Sequence, residues 1–134
     1  MFNFDYILLF CLLLFKFTSA TSPKLIEIKS QITQKNGTKL TIICVIQEGT
    51  KPFQFEWRFN DQQLLKSSIA SDYRIDSFTD DQSQLTIPKL DQKHSGTYSC
   101  FARNDFGFDR QSTRLAVTGL RIFIIHQYVA QMSL

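Results

Sequence analysis

Hydrophobic and polar residues alternate in short runs along most of the chain. The clearest runs are Leu40–Gln47, Phe53–Phe59, Leu85–Ile87, Tyr98–Arg103 and Leu115–Val117. A period of two places successive side chains on opposite faces of a β-strand, so each run predicts a strand with one buried face. No helical period of useful length competes with this pattern after residue 20.

Turn-forming residues separate the runs at intervals of roughly ten residues. They are Asn36–Gly37, Glu48–Pro52, Asn60–Gln63, Asp80–Ser83 and Asn104–Gly107. Asn-Gly in particular favours a tight reversal with positive φ. Short strands divided by turns at this spacing predict an all-β sandwich, and 134 residues are enough for one such domain.

The first twenty residues follow a different pattern. Ile7–Phe15 is an uninterrupted apolar run, which has the length of the core of a signal peptide and is too short to span a bilayer. The small residues at 18–20 suit cleavage after Ala20. Asp5 and Lys16 are unusual in such a segment, and the alternatives are a buried helix and an uncleaved anchor. The prediction is a secretory signal peptide over residues 1–20.

Three cysteines are present, and the predicted signal peptide contains one of them, Cys11. Cys44 and Cys100 then remain in the mature chain. Because the secretory pathway is oxidising, two remaining cysteines predict one disulfide. The alternative is a pair of buried free thiols, as in a cytosolic protein.

Two aromatic residues accompany these cysteines in the pattern. Trp57 is on the strand that follows Cys44, and its large ring suits the space between two sheets packed about 10 Å apart. Tyr98 shares the inward face of Cys100, so its hydroxyl group needs a hydrogen-bond partner inside the protein. A bond to the backbone just upstream, with Gly96 allowing close passage, would form a tyrosine corner.

The chain resembles the immunoglobulin superfamily over residues 23–118. Cys44, Trp57, Leu85, Tyr98 and Cys100 stand where the pattern of that family expects them. The resemblance implies an all-β, immunoglobulin-like sandwich with one inter-sheet disulfide and a core around Trp57, Leu85 and Tyr98. Room for only a short extra strand near 64–65 is similar to the intermediate (I) set. The implied strands are A and A′ within 25–34, B at 39–47, C at 53–59, D at 73–78, E at 84–88, F at 97–104 and G at 111–118.

A finer resemblance concerns the segments around the predicted disulfide. The sequences HSGTYSC, PFQFEWRFN and ARNDFG are similar to segments of Dscam-like neural adhesion receptors of arthropods. His94 stands six residues before Cys100, where most immunoglobulin-like domains have an Asp that pairs with an Arg of strand D. Arg74 is present on that strand, and the Asp is absent.

The charge pattern narrows the range of partners. The net charge of +3 and dispersed lysines such as Lys24 and Lys39 do not form the basic run that binding to nucleic acid requires. We interpret the lysines as solvated surface rather than as a heparin or lipid site.

His94 is expected to be a half-exposed loop residue, since no cluster of Cys, His and Asp has metal-ligand spacing. No nucleophile motif or Gly-rich phosphate loop is present, so neither an enzyme nor a cofactor is predicted.

Candidate functional residues lie on strand F and in the first turn. Phe101 and Arg103 point outward from strand F and Phe106 follows in a loop, which is a composition typical of protein interfaces. The alternative for these residues is ordinary cross-strand packing. Asn36 begins an Asn-Gly-Thr glycosylation sequon, although the same residues could serve only as a turn.

The predicted function is extracellular recognition in cell adhesion and neuronal recognition, with axon guidance as one setting. The predicted partner is a protein, either a second copy of this chain or another cell-surface protein. The alternatives are a soluble single-domain immune-type binder or decoy and a structural spacer. The protein is expected to be secreted or to lie on the extracellular side of the plasma membrane. It would be attached to the membrane only through missing downstream segments. Residues 119–134 form an apolar tail that fits none of these functions, and we interpret it as a truncated or misspliced end.

Overall fold

The structure, a computed structural model, describes residues 3–14, 19–65 and 72–119. Within these ranges it contains a helix, α1 (Phe4–Leu14), and a short 3₁₀ turn, Gln92–His94. The strands are β1 Lys24–Leu25, β2 Gln31–Lys35, β3 Leu40–Glu48, β4 Gln54–Phe59, β5 Gln62–Leu64, β6 Arg74–Thr79, β7 Gln82–Ile87, β8 Gly96–Asn104 and β9 Gly107–Thr118. The predicted apolar tail lies outside the described residues from position 120 onward.

Two sheets form a sandwich. β1, β3, β7 and β6 make a four-stranded sheet in that order, and β2, β9, β8, β4 and β5 make a five-stranded sheet. β2 runs parallel to β9, while the other neighbouring strands are antiparallel. This arrangement confirms the predicted all-β fold, including the short extra strand, which is β5.

Two strands begin earlier than the sequence pattern indicates. β9 begins at Gly107 rather than at position 111, because the reversal from β8 is short. β5 begins at Gln62, inside a segment that was predicted as a turn. Asn60 and Asp61 make that turn alone, with φ angles of 46° and 66°. Asn and Asp tolerate this left-handed backbone better than most residues, so two residues suffice.

The core forms as the alternating pattern predicts. On β3, Leu40, Ile42, Cys44 and Ile46 are buried, whereas Ile43 between them is 48% exposed. Burial of a large aliphatic side chain contributes roughly 1.5–3 kcal/mol relative to leaving it exposed. One face of β3 therefore stabilises the sandwich while the other remains in contact with water.

Cys44 and Cys100 form the predicted disulfide between the two sheets. In the register of the strands, Cys44 pairs with Ser83 of β7, and Cys100 pairs with Trp57 of β4. The Trp57 Nε1–H group donates a hydrogen bond to the Ser83 hydroxyl at 3.0 Å, and both side chains are buried. The two sheets are thus joined by neighbouring bonds: the disulfide joins β3 to β8, and the Trp57–Ser83 hydrogen bond joins β4 to β7. Leu85, also on β7, is fully buried.

Tyr98 connects the start of β8 to the segment before it. Its hydroxyl donates a hydrogen bond to the His94 carbonyl oxygen at 2.7 Å, and the residue is 1% exposed. A Cβ atom at Gly96 would lie 2.6 Å from the Asn60 Oδ1 atom. That oxygen accepts a hydrogen bond from the Thr97 N–H group at 2.9 Å. The close approach of two chain segments therefore requires glycine at position 96.

Raising the pH above about 10 should destabilise the domain through Tyr98. Burial, followed by a side-chain hydrogen bond with Tyr73, raises the pKa of Tyr98 above its ordinary value. The unfolded chain loses the phenolic proton near pH 10, while the folded chain keeps it to higher pH. The stability contributed by Tyr98 is therefore complete below about pH 10 and is lost as the pH rises further. Urea unfolding midpoints between about pH 8 and pH 12 measure this loss.

Tyr98→Phe is the matched variant for this measurement. It should be less stable at neutral pH by about 1 kcal/mol, since one hydrogen bond to the backbone is missing. Above about pH 10 its stability should fall less steeply than that of the wild type, because the other titrating groups are common to both proteins. Parallel pH profiles would contradict the role assigned to the buried hydroxyl.

Helix α1 contributes no residue to the buried core of the described chain. Its apolar side chains are largely exposed, and Phe4, Tyr6, Leu8 and Phe10 each have more than half of their surface accessible. Across the described ranges, no helix is both long and apolar enough to cross a membrane.

Candidate functional site

The outward side of the five-stranded sheet carries two of the three predicted interface residues. Side chains from β4, β8 and β9 lie next to one another there, because these strands are hydrogen-bonded neighbours. Six of these residues, which we call the arginine–phenylalanine face, are Arg58, Phe101, Arg103, Phe108, Arg110 and Arg114. The register places Arg110 opposite Phe101 and Phe108 opposite Arg103.

Phe101 is the ring around which this face is organised. The guanidinium carbon of Arg58 lies 4.6 Å from the centroid of the Phe101 ring, and that of Arg110 lies 5.2 Å from it. A cation within about 6 Å of an aromatic face is attracted by the ring quadrupole. The ring and the two arginines therefore hold one another in place.

Further contacts order the same two arginines. Arg58 forms an ion pair with Glu56 on the same strand. Arg110 donates hydrogen bonds to the hydroxyl groups of Ser112 and Ser99, each at 3.1 Å. Side chains that are already ordered lose less conformational entropy when a partner binds, so this arrangement favours association.

Phe108 supplies a second ring. It is 63% exposed, and its ring centroid lies 6.5 Å from that of Phe101. The sequence pattern did not identify Phe108, Arg110 or Arg58 as site residues. Phe108 and Arg110 lie in the predicted loop before strand G. The alternating pattern places Arg58 on the outward side of strand C but does not indicate its contact with Phe101. The register between strands, which the sequence does not display, brings them together.

Phe106, the third predicted interface residue, lies in the turn between β8 and β9 and is 54% exposed. Its N–H group donates to the Asn104 Oδ1 atom at 2.9 Å and so helps to close the turn. The Asn104 Nδ2 group donates to the carbonyl oxygens of Thr21 and Thr50. Phe106 is therefore at the end of the sheet, whereas Phe101 and Arg103 are on its face.

A depression of about 310 Å³ lies beside Phe101. It is lined by polar, charged and aromatic side chains: Gln54, Phe55, Glu56, Gln63, Phe101 and Arg103. In the part of the chain that the structure describes, no group of three or more His, Cys, Asp and Glu residues is placed to hold a metal ion.

His94 is buried, with 1% of its surface exposed, and the prediction of a half-exposed loop residue is wrong. The Asp91 N–H group donates to His94 Nδ1 at 2.8 Å, which closes a capping box on the 3₁₀ turn and draws the imidazole inward. His94 Nε2 lies 3.6 Å from the Asp72 Oδ2 atom. Arg74 instead pairs with Asp76. The Asp–Arg pair that is typical of immunoglobulin-like domains is therefore replaced by a buried His94 that lies near Asp72, just before β6.

Asn36 lies in the turn between β2 and β3, where Gly37 has a φ angle of +81°. Asn36 is half-buried, and its Nδ2 atom lies 3.4 Å from the Asp91 Oδ1 atom. The hydroxyl group of Thr38, the third sequon residue, donates to the Lys35 carbonyl oxygen at 2.7 Å. A glycan on Asn36 would therefore stand at the end of the sandwich where this turn meets the 3₁₀ turn.

Two packed sheets, the inter-sheet disulfide and the Trp57 and Tyr98 contacts define an immunoglobulin-type sandwich. The sequence profile described as immunoglobulin domain matches residues 22–104, which is more than half of the chain. The chain therefore belongs to the immunoglobulin domain family, and the resemblance drawn from Cys44 and Cys100 is confirmed.

Known proteins show what kind of immunoglobulin domain this chain is similar to. Protein sidekick-2 of Gallus gallus is 32% identical over 80 residues, which are 60% of this chain and 3% of the relative. Cell adhesion molecule DSCAM of Gallus gallus is 32% identical over 81 residues, which are 60% of this chain and 4% of the relative. The chain thus spans only a few hundredths of the length of these relatives. It is an immunoglobulin domain similar to a short segment of a protein named as a cell adhesion molecule.

A solved structure shows the same fold. The crystal structure of the Dscam1 Ig7 domain, isoform 5, matches with a TM-score of 0.64 and 21% sequence identity. The match covers 72% of this chain and 97% of the Dscam1 domain. At this level of identity the comparison establishes the fold alone.

Proposed function

We propose that this chain is an extracellular recognition domain that binds another protein in cell adhesion. The observation that carries the proposal is the arginine–phenylalanine face, where two arginines stack on Phe101 beside the exposed ring of Phe108. Arginine and aromatic side chains are enriched at the centres of protein interfaces. The similarity to DSCAM, which is named as a cell adhesion molecule, supports the same class of function.

Three features support an extracellular location. Helix α1 keeps its apolar side chains exposed, as expected of a signal peptide over residues 1–20 that is removed from the mature protein. The disulfide between Cys44 and Cys100 suits an oxidising compartment. The sequon at Asn36 lies in a turn. We propose a domain over 23–118 with a glycan on Asn36, followed by a truncated or misspliced apolar end at 119–134.

Insect cells that express the full chain should secrete it without residues 1–20 and with a glycan on Asn36. N-terminal sequencing of the secreted protein should begin at Thr21. Peptide-N-glycosidase should lower the apparent mass of the wild type and leave that of Asn36→Gln unchanged. A secreted protein that still begins at Met1 would contradict the signal peptide, and a wild type without a mass shift would contradict the glycan.

Beads coated with the protein that is secreted when the full chain is expressed test adhesion itself. They should bind neural cells of the animal that encodes the chain, since neuronal recognition is the proposed setting. Arg103→Ser combined with Phe108→Ser should reduce the bound cells, whereas Arg74→Gln, on the opposite sheet, should leave them unchanged. Clumping of the beads without cells would support contact between copies. Beads that neither clump nor bind cells would contradict an adhesive function.

A further inference from the structure

We propose that the arginine–phenylalanine face recognises an acidic and partly apolar surface of a different protein, rather than a second copy of this chain. The inference rests on the proposed function, because it names the partner of the same face. Charge, exposed rings and the spacing of the arginines each contribute to it.

Positive charge exceeds negative charge on this face. Within the described residues, the outward positions of β4, β8 and β9 carry four arginines and a single carboxylate, that of Glu56. Glu56 is already paired with Arg58. Asp61, in the turn after β4, lies 3.8 Å from the Arg110 guanidinium and is 84% exposed, so it compensates that charge only weakly.

Two of the arginines are left for a partner. Arg103 and Arg114 form no ion pair with any residue of the described ranges. In a two-fold contact between copies, this patch would meet the same patch of the other copy, so two surfaces with an excess of positive charge would face each other. Like charges across an interface oppose binding, whereas carboxylates would match the guanidinium groups with paired hydrogen bonds. A different, acidic partner is therefore favoured over a second copy.

The two rings favour a protein over a sulfated glycan. Phe108 is 63% exposed, and Phe101 next to it lies under the guanidinium groups rather than in the core. A polyanionic sugar supplies charge for the arginines but offers little apolar surface to cover Phe108. A protein surface supplies both carboxylates and apolar side chains, which is the usual composition of an interface with a buried centre.

The strand geometry sets the dimensions of the partner surface. Arg110 and Arg114 are four residues apart on β9, which corresponds to about 14 Å along an antiparallel strand. Arg103 lies on the neighbouring strand, opposite Phe108 and about 5 Å to the side. The depression beside Phe101 has room for a protruding side chain. The partner should therefore present carboxylates on either side of an apolar group.

Binding of the protein that is secreted when the full chain is expressed to three defined polymers tests the proposal. They are a glutamate–tyrosine copolymer, polyglutamate of the same length and heparin, measured by biolayer interferometry at physiological salt. The copolymer should bind about tenfold more tightly than polyglutamate, because it offers rings as well as carboxylates. Added salt should weaken both interactions, since charge attraction between exposed groups is screened.

Single substitutions separate the two components of the face. Phe108→Ser should remove most of the preference for the copolymer and leave binding to polyglutamate like that of the wild type. Arg110→Gln should weaken binding to both polymers by about tenfold. Arg74→Gln is the matched control, because Arg74 also pairs with an aspartate but lies on β6 of the other sheet. It should bind like the wild type, and the melting temperature of each variant checks that it is folded.

Several results would overturn the proposal. Tighter binding to heparin than to the copolymer would identify a sulfated glycan as the ligand. Equal losses in Arg110→Gln and Arg74→Gln, or no preference for the copolymer, would reduce the interaction to non-specific charge attraction. Self-association of the wild type in sedimentation, weakened by Arg110→Gln, would assign the face to a second copy. In each of these cases, coated beads that bind cells would still support the proposed adhesive function. Failure of this inference can therefore be distinguished from failure of the proposed function.

Discussion

Replacing both Cys44 and Cys100 by alanine should lower the free energy of unfolding by about 2–5 kcal/mol. The disulfide joins residues that are 56 positions apart, so its loss returns conformational freedom to a long loop of the unfolded chain. Both residues are also fully buried between the sheets. A domain is stabilised by only about 5–15 kcal/mol in total, so the double variant should be close to unfolding and poorly secreted.

Urea unfolding of the secreted proteins measures this difference. Arg74→Gln serves as the control, because it removes only an exposed ion pair with Asp76 on β6, and it should leave the unfolding midpoint almost unchanged. Both cysteines are replaced together, since a single replacement leaves a buried thiol that can form a wrong disulfide. Normal secretion of the double variant with an unchanged midpoint would contradict the stabilising role of the bond.

The centre of the sandwich was predictable because its strands bury one face over many residues. Along β3 the burial alternates from Ile42 to Ile43 to Cys44, so the hydrophobic pattern states directly which side faces the core. The same alternation predicts that Trp57 and Tyr98 face the core. Both are 1% exposed. Period-two alternation is informative wherever one side of a sheet is dry and the other is wet.

The start of β9 was not predictable in the same way, because its inward positions are polar. The Asp109 carboxylate accepts the Leu25 N–H group at 2.8 Å, which satisfies a backbone donor of β1. No apolar alternation therefore marks residues 107–111 as a strand. Because the first residues of β9 are not predicted as a strand, the sequence does not indicate that Phe108 and Arg110 lie on the same face as Phe101.

The burial of two polar residues was also not predicted from the sequence. His94 is drawn inward by the capping box with Asp91, and the Asp-x-x-His spacing is a local pattern that could have indicated it. Ser83 offered no such local sign. Its partner, the Trp57 indole, comes from the opposite sheet, so its burial depends on how the two sheets are stacked.

Trp57→Ala should destabilise the domain by about 3–5 kcal/mol, since it empties a site that is 1% exposed between the sheets. Ser83→Ala should cost about 1–3 kcal/mol, because the indole N–H group would remain buried without its acceptor. In a Trp57→Phe background the same Ser83 replacement should cost less, since phenylalanine has no N–H group to satisfy.

Urea unfolding of the wild type, Trp57→Phe, Ser83→Ala and the double variant gives the coupling energy of the pair, which should be about 1 kcal/mol. Ile43→Ala, on the outward side of β3, should have a much smaller effect than either core change. Strictly additive losses would contradict a hydrogen bond that acts as a unit. The coupling should persist when Cys44 and Cys100 are alanine in a folded variant, because the Trp57–Ser83 bond joins the same two sheets through β4 and β7 and does not need the sulfur atoms. Its disappearance there would mean that the disulfide positions the two sheets for the hydrogen bond.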